Sequence, residues 1–279
     1  MWAVDYKGWF RTRDGERCEP LTVSDLYSRY VLGIKALKDQ SYERAKKVFE
    51  GLFKKYGLPE IIRSDCGSPF ASSGAGGLSR LSVWWIQLGI RHELIAPGHP
   101  EQNGIHERMH LTMKAEACQP PSASREGQQR RFDRWRKEFN EERPHEALGM
   151  QTPSQRYVQS SRRYSGKIQQ PVYPGWYSER RVRGNGEIKW HGKMCFIGEA
   201  LKGALVGLEQ VEKGRSRVYF DKIVLGELDD VGTKDTRSSV RISLRPRERR
   251  RVQQDRRGIG LKGIKSKSRG VIMGGENKV

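Results

Sequence analysis

The pattern of apolar and polar positions along the chain begins with strands. Residues 2–10 and 18–34 are rich in β-branched and aromatic side chains, and the segment Arg13–Gly15 between them is typical of a turn. This pattern predicts a meander of strands, because β-branched and aromatic runs bounded by turn residues form hairpins. Asp5 lies on the first predicted strand.

After the meander, the spacing of apolar residues changes to that of a helix. Six apolar residues between Ala45 and Tyr56 fall on one helical face, which predicts a helix that begins after Ser41 and ends before Gly57. The chain then predicts a strand, a helix and another strand, over residues 60–65, 78–89 and 90–95. Strands followed by alternating helix and strand indicate an α/β fold with a mixed sheet.

The second half of the chain predicts two further helices and a small β region. Turn-forming residues over 96–104 predict a loop, and helical character follows over 105–118 and 122–142. Residues 151–165 offer little to bury and predict a linker. From residue 166 to 230 short strands alternate with turns, which predicts a small antiparallel barrel.

The charge balance indicates a polyanionic partner. The chain of 279 residues contains 53 Lys and Arg against 33 Asp and Glu, a net charge of +20. Residues 231–279 alone hold 15 of the basic and 4 of the acidic residues, so this tail is predicted to be disordered and to bind phosphates without sequence preference. So large a surplus must face water or a polyanion, and nucleic acid is the predicted partner.

The four cysteines and the apolar runs exclude several protein classes. Cys18, Cys66, Cys118 and Cys195 form neither CxxC pairs nor a disulfide framework, which predicts a reduced, cytoplasmic chain without a zinc knot. No targeting segment begins the chain. The longest charge-free apolar stretch, residues 81–90, is about half of the ~20 residues that a membrane helix needs, so no membrane partner is expected.

Three carboxylates form the informative set of polar residues. Asp5 lies within the first strand, Asp65 ends a later strand, and Glu107 follows the turn-rich loop at the start of a helix. Taken singly, each has an ordinary structural role as a turn, cap or solvated residue. Together they can meet at one edge of the sheet, where clustered carboxylates need a cation and hard oxygen ligands select Mg²⁺ or Mn²⁺.

A resemblance to a known family rests on three stretches, Trp2–Asp5, Arg63–Phe70 and Pro97–His110. These stretches resemble the DDE catalytic core of retroviral-type integrases and bacterial insertion-sequence transposases, most closely insertion-sequence group 481. The runs Phe139–Leu148 and Thr152–Tyr157 are similar to the close of that core. The resemblance covers residues 1–157 strongly and the predicted barrel less strongly.

The resemblance implies an RNase H-like mixed sheet with flanking helices, followed by a small SH3-like β-barrel and a disordered basic tail. On this basis we expect a catalytic core over residues 1–150, a linker over 151–165, the barrel over 166–230 and the tail over 231–279.

The implied activity is that of a polynucleotidyl transferase that cuts and joins DNA strands in transposition. Asp5, Asp65 and Glu107 would be its catalytic residues and would bind two Mg²⁺ or Mn²⁺ ions. Lys114 would contact transposon-end DNA, or would be a solvated lysine. Transposon ends, target DNA and further copies of the chain are the implied partners, in the bacterial cytoplasm at the nucleoid.

The chain departs from the family pattern in three ways. Asp65 and Glu107 are 42 positions apart, a longer spacing than in many relatives, and Cys66 stands where relatives commonly have Asn. The chain also begins four residues before Asp5, so the helix-turn-helix region that would read transposon ends is expected to be absent. A truncated, non-catalytic DNA-binding remnant is therefore an alternative function.

The segment His106–His110 also satisfies the HExxH pattern of zinc peptidases. The longer form of that motif requires a glycine and a third histidine, where this chain has Met113 and Glu116. A net charge of +20 has no role in a peptidase, so a zinc peptidase is the disfavoured alternative.

Several further basic residues are candidates for contacting DNA. The predicted barrel combines Arg180, Arg181 and Arg183 with tryptophans that can stack on bases, which predicts DNA contact, although such barrels also bind protein. The helix over 122–142 carries a basic cluster that either follows phosphates or is a solvated face: Arg130, Arg131, Arg134, Arg136 and Lys137. His99 in the loop either touches DNA or is exposed.

Overall fold

The computed structural model of the chain describes residues 1–96, 104–229 and 240–241. His99 and the rest of residues 97–103 lie outside the described residues. The tail predicted to be disordered also lies outside them, except for residues 240–241.

A mixed sheet forms the centre of the first part of the chain. Its strands are β1 (Trp2–Tyr6), β2 (Phe10–Arg11), β3 (Arg17–Asp25), β4 (Val31–Leu37), β5 (Ile61–Ser64) and β6 (Arg91–Leu94). β3 pairs antiparallel with β1, β2 and β4, whereas β5 pairs parallel with β1 and β6 pairs parallel with β5. The order across the sheet is β4-β3-β1-β5-β6. This antiparallel meander extended by two parallel strands is the predicted RNase H-like sheet.

Helices cover both faces of this sheet. α1 (Tyr42–Tyr56) and α2 (Arg80–Gln87) lie on one face, and α3 (Gly104–Met113) and α4 (Arg125–Glu141) on the other. α1 has the predicted bounds, and Gly57 ends it with a φ of 78°, a backbone conformation that suits glycine.

Two helices differ from the sequence-based bounds. The helix predicted over 105–118 changes after Met113 into a π-helical turn over Lys114–Cys118. α4 begins three residues later than the prediction, because the Ser124 hydroxyl accepts a 3.2 Å hydrogen bond from the Gly127 N–H and caps the helix there.

Alternation along the strands gives the sheet one apolar and one partly polar face. Trp2, Val4, Leu21 and Val23 are buried and pack with α1 and α2. The opposite face of the same two strands carries Asp5, Thr22 and Ser24 under α3, in the register Asp5–Thr22. Three polar residues next to one another under a helix are unusual in a core, because buried polar groups are costly unless they are hydrogen-bonded.

The predicted linker lies along the core and contacts it. It contains one short helix, α5 (Pro153–Arg156), followed by residues without helix or strand. The Tyr157 ring stacks on Tyr30 at 4.4 Å between centroids, and the Arg162 guanidinium donates to the Pro59 carbonyl at 2.7 Å. The segment therefore buries more than its composition indicates.

Two small sheets share one apolar core in the C-terminal part. β7 (Ser178–Arg181), β10 (Leu205–Glu212), β11 (Arg215–Phe220) and β12 (Ile223–Asp229) form an antiparallel sheet. β8 (Glu187–Trp190) and β9 (Lys193–Phe196) form a second sheet, in which β13 (Val240–Arg241) pairs parallel with β9. This arrangement agrees with the predicted small barrel. None of the helices within the described ranges has the length and apolar character that a membrane span requires.

Candidate active site

Asp5 lies on β1, and Asp65 directly follows β5, the parallel strand next to it. Trp2 is opposite Ile62 and Ala3 is opposite Arg63 in the β1–β5 pair, so the same register continued by two residues puts Asp5 opposite Asp65. Neighbouring strands are about 4.8 Å apart, and matching positions project from the same face of a sheet. The register therefore predicts that the two carboxylates lie side by side at the edge of this pair of strands.

Local hydrogen bonds orient the Asp65 carboxylate. Its Oδ1 atom accepts from the Gly67 N–H at 3.0 Å, and the Ser64 hydroxyl donates to the Asp65 carbonyl at 2.8 Å. A Cβ on Gly67 would lie 3.0 Å from Asp65 Oδ2, so any larger residue there would shift the carboxylate. Cys66 is exposed, and its thiol lies 3.5 Å from the Ile95 carbonyl beside the neighbouring strand.

Glu107 lies in the first turn of α3 and is exposed. The flank of α3 that holds Ile105, Arg108 and Met109 lines a cavity with the end of α4. Helical spacing puts Glu107 outside this flank of α3. Because α4 packs on β4 at one side of the sheet, we predict that Glu107 lies toward the side of β1 and β5.

The three predicted residues do not form a closed ligand group. Within the part of the chain that the structure describes, no three His, Cys, Asp or Glu side chains are arranged to hold a metal ion. The register of β1 and β5 predicts that Asp5 and Asp65 are neighbours, whereas Glu107 is exposed at the start of α3. Its role as the third ligand stays a prediction.

The two histidines of the HExxH pattern bind to a threonine of the sheet. The Thr22 hydroxyl donates to the Asp5 carbonyl oxygen at 2.9 Å, and it also lies 2.7 Å from His106 Nε2 and 2.7 Å from His110 Nε2. A hydroxyl has one proton, and a carbonyl oxygen can only accept. Both imidazoles must therefore donate to Thr22 Oγ1 through their Nε2–H groups. We call these three side chains the histidine–threonine clamp.

Burial keeps both histidines of the clamp neutral. It lowers the pKa of His106 to about 3 and that of His110 to about 2, with His106 and Lys7 adding to the second effect. His106 Nδ1 accepts from the Ser24 hydroxyl at 2.9 Å, and His110 Nδ1 lies 3.8 Å from Asp5 Oδ2. Since both Nε2 atoms are used by Thr22, the zinc peptidase alternative loses its ligands.

Lys114 lines a cavity beside the end of β1, with two residues that the sequence analysis missed. Lys7 and Trp9 line the same cavity of about 560 Å³, and Lys7 follows Asp5 by two positions. The Trp9 ring is 55% exposed and lies 4.8 Å from the Arg17 guanidinium carbon. Cations and an exposed aromatic ring beside Asp5 form a surface that suits a nucleic acid strand.

The basic residues of β7 are on the surface of the barrel. Arg180 and Arg181 are exposed on β7, and Arg183 is exposed just after it. The Arg180 guanidinium carbon lies 5.2 Å from the Trp190 ring centroid, and Arg181 donates to the Gly203 carbonyl at 2.8 Å. Their contact with DNA stays a prediction.

The basic cluster of α4 divides into two groups. Arg131 donates to the carbonyl oxygen of Glu116 in the π-helical turn and to that of Gln119 just after it, and Arg136 donates to the Tyr56 hydroxyl at 3.4 Å, so both have structural roles. Three members are exposed and can contact a partner, namely Arg130, Arg134 and Lys137.

Comparisons with known proteins identify the first half of the chain. Residues 1–100 and 88–153 each match a family model described as an integrase core domain. A 39.2 kDa protein of insertion element IS476 from Xanthomonas euvesicatoria is 27% identical over 177 residues, which cover 63% of this chain and 49% of that protein. The Gag-Pol polyprotein of Baboon endogenous virus is 34% identical over 94 residues, 34% of this chain and 5% of the polyprotein.

A solved structure with a similar fold is the HTLV-2 integrase catalytic core domain in complex with magnesium. It is 15% identical, has a TM-score of 0.44, and the match covers 56% of this chain and 95% of that chain. The chain spans about half the length of the insertion-element relative and about a twentieth of the viral polyprotein.

Proposed function

From the premise that this chain carries an integrase core domain over residues 1–153, we propose that it is a DDE transposase of an insertion element. The reaction is the cleavage of DNA at a transposon end and the joining of the freed 3′-hydroxyl to target DNA. The observation that supports the proposal is the register of β1 and β5, in which Ala3 pairs with Arg63, because the same register continued by two residues would bring Asp5 beside Asp65. Membership of insertion-sequence group 481 is part of the proposal.

Asp5 and Asp65 fit a divalent metal ion by their chemistry. Two carboxylates side by side repel each other unless a cation lies between them, and carboxylate oxygens are the ligands that Mg²⁺ and Mn²⁺ prefer. Glu107 would be the third ligand, from the flank of α3 on the same side. Two ions held there would neutralise charge on the attacking and leaving oxygens of an in-line phosphoryl transfer.

The chain itself contributes orientation and positive charge. Thr22 holds the backbone at Asp5, and the Gly67 N–H holds the Asp65 carboxylate. Lys7 and Lys114 lie beside the end of β1, where they would pair with the phosphodiester backbone of a DNA end. The exposed arginines at β7 would extend this contact along the DNA.

The proposed partners and location follow from the relatives. Transposon ends and target DNA are the substrates, and several copies of the chain would assemble on them. The proposed location is the bacterial cytoplasm, at the nucleoid.

Asp65→Asn tests the proposed chemistry directly. The amide keeps an oxygen that can accept from the Gly67 N–H, but it removes the charge that a metal ion needs. With a pre-cut transposon end, a target plasmid and Mn²⁺, we expect joined products from the wild type and none from Asp65→Asn. DNA affinity should be unchanged.

Asp221→Asn is the matched control. Asp221 is exposed at a φ of 51°, a conformation that Asn tolerates, and its substitution should leave joining intact. Full joining by Asp65→Asn would contradict the proposal.

The second candidate is a non-catalytic DNA-binding remnant. It is favoured by one observation, that the described residues contain no closed group of three metal-binding side chains. If the chain is a remnant, the wild-type protein would retard DNA in the same assay but would join none of it, even with Mn²⁺ present.

A further inference from the structure

A cavity of about 620 Å³ lies on the flank of α3 that faces away from Glu107. Its walls come from the first turns of α3, from the turn between β3 and β4, and from the segment after α4. Apolar side chains, Met109 and Phe139 among them, alternate with cationic ones around it. Arg108, which directly follows Glu107, belongs to this wall, so the start of α3 separates the cavity from the candidate active site.

Two arginines of the cavity carry uncompensated charge. Among the residues that the structure describes, neither Arg29 nor Arg108 forms an ion pair, although both line the cavity. Burial and the nearby charge of Arg108 lower the pKa of Arg29. The third arginine, Arg143, is different, because its guanidinium pairs with Glu116 at 2.7 Å and with Glu138 at 2.6 Å.

His145 lines the same cavity and contains a buried hydrogen-bonding atom without a partner. Its Nε2 atom is buried and has no hydrogen-bond partner, while its ring packs edge-on against Phe139 at 4.9 Å between centroids. Burial, together with the charges of Arg29 and Arg143, lowers the pKa of His145, so the ring is neutral. Buried polar atoms without a partner are rare in native proteins, and this one lies in the wall of the cavity near the two arginines.

The backbone at Arg29 supports the same conclusion. Arg29 has a φ of 63°, in the left-handed region that non-glycine residues seldom adopt. Strained backbone of this kind persists where the surroundings hold it, and it is concentrated at ligand sites.

We propose that this cavity binds a phosphate group of a DNA strand, with Arg29 and Arg108 pairing with its oxygens and His145 in the wall beside them. The assignment rests on the proposed function, which supplies DNA as the ligand. A free phosphate ion would leave most of about 620 Å³ empty, whereas a nucleotide unit can set its sugar or base against Phe139 and Met109. A strand held here crosses the start of α3 next to Glu107.

The first experiment measures DNA affinity and its salt dependence without divalent metal, by fluorescence anisotropy of a labelled duplex. Arg108→Gln changes an exposed helical residue and should leave the thermal unfolding midpoint unchanged. We expect it to weaken binding about tenfold, the lower end of what a charge-assisted hydrogen bond contributes. The slope of log affinity against log salt should become shallower by about 0.9 for each phosphate that the variant leaves unneutralised.

Two further variants of Arg29 separate charge from backbone. Asn accepts a positive φ, so Arg29→Asn removes the charge without adding strain, and Arg29→Lys keeps the charge. We expect Arg29→Asn to behave as Arg108→Gln does, and Arg29→Lys to recover most of the affinity.

Lys54→Gln is the matched control. It removes one charge from the exposed side of α1, on the other face of the sheet, and should change affinity less than twofold. Identical affinity and salt slope for Arg108→Gln and Lys54→Gln would overturn the proposal.

The second experiment observes His145 directly by ¹⁵N NMR of histidine-labelled protein. A 5′-phosphorylated thymidine dinucleotide should shift the His145 Nε2 signal in the wild type and not in Arg108→Gln. Absence of a shift in the wild type would overturn the proposal. An equal shift with inorganic phosphate at the same concentration would overturn the assignment to DNA.

Asp65→Asn distinguishes a failure of this site from a failure of the proposed function. We expect Asp65→Asn to bind DNA and to shift His145 as the wild type does. Suppose that the wild-type chain joins no DNA, while Arg29→Asn and Arg108→Gln bind DNA more weakly than the wild type does. This result would contradict the transposase proposal and support the phosphate site. Normal joining, with Arg108→Gln binding DNA as tightly as the wild type, contradicts the phosphate site alone.

Discussion

Thr22 lies opposite Asp5 on the neighbouring antiparallel strand, and its hydroxyl donates a 2.9 Å hydrogen bond to the Asp5 carbonyl oxygen. The same hydroxyl accepts from His106 and His110 of α3. The Thr22 side chain therefore joins β1, β3 and α3 at the position of Asp5, near the end of β1. The position of α3 over the sheet, and with it that of Glu107, depends on this clamp.

Removal of the Thr22 hydroxyl should destabilise the chain. Thr22→Val keeps the shape of the side chain but leaves two buried Nε2–H donors and the Asp5 carbonyl without their partner. We expect the free energy of unfolding in urea to fall by about 2 kcal/mol or more, since each unsatisfied buried group costs about 1–3 kcal/mol. Thr22→Ser, which keeps the hydroxyl and loses one methyl group, should lose about 1 kcal/mol. Equal stability of the two variants would show that the clamp contributes nothing.

Stability should depend on pH through the two histidines of the clamp. Their pKa values in the folded chain, about 3 for His106 and about 2 for His110, lie below the ordinary value of about 6.5. Protons therefore bind the unfolded chain more tightly, so the stabilisation is complete above pH ~6.5 and is lost as pH falls toward the folded values. Between pH 7 and pH 5 we expect a loss of about 2 kcal/mol for each histidine.

The measurement for this pH dependence is urea unfolding at both pH values in metal-free buffer. His106→Gln removes one titrating group and should reduce the pH-dependent loss by about 2 kcal/mol. A wild-type free energy of unfolding that is the same at pH 7 and pH 5 would contradict the buried, neutral state of these histidines.

Gly67→Ala should impair the site without unfolding it. Gly67 has no positive φ, so alanine fits the backbone, but its Cβ would lie 3.0 Å from Asp65 Oδ2 and would displace the carboxylate. We expect joining of a pre-cut end to fall about tenfold or more, because small displacements of catalytic groups have large effects on rate. The midpoint of thermal unfolding and the affinity for DNA should stay close to those of the wild type. An unchanged joining rate would mean that the orientation of Asp65 is not critical.

Gly51→Ala should stabilise the chain. Gly51 is exposed inside α1, and a Cβ there meets no atom within 4 Å. Alanine has a higher helix propensity than glycine by about 0.8–1 kcal/mol, so the free energy of unfolding should rise by about that amount. This variant is also a control for Gly67→Ala, because it adds the same methyl group away from the site. Destabilisation by Gly51→Ala would contradict the open space around this position.

The regular elements could be predicted because their signals are local. The apolar spacing from Ala45 to Tyr56 defines α1, and alternation along β1 and β3 defines the buried face of the sheet. The resemblance implies an RNase H-like strand order, in which β1 and β5 are neighbours. That order predicts that Asp5 and Asp65 are adjacent. These features need no knowledge of side-chain packing.

The clamp and the cavity beside α3 could not be predicted, because each joins residues that are distant in sequence. Thr22 and His106 are 84 positions apart, and the HExxH spacing is the same in a zinc site and in a pair of buried, hydrogen-bonded histidines. Arg29 and His145 meet only when the turn after β3 and the segment after α4 pack beside α3. Nothing in the local sequence around either residue indicates a shared cavity.

Binding of Mn²⁺ in the presence of a pre-cut transposon end, measured by electron paramagnetic resonance, tests the central claim most directly. The claim is that Asp5 on β1 and Asp65 just after β5 lie side by side and hold the divalent metal ions. We expect the wild-type chain to bind up to two Mn²⁺ ions, and Asp5→Asn and Asp65→Asn to lose most of this binding while keeping their affinity for DNA. Mn²⁺ binding by Asp5→Asn and Asp65→Asn with the affinity and stoichiometry of the wild type would contradict the account.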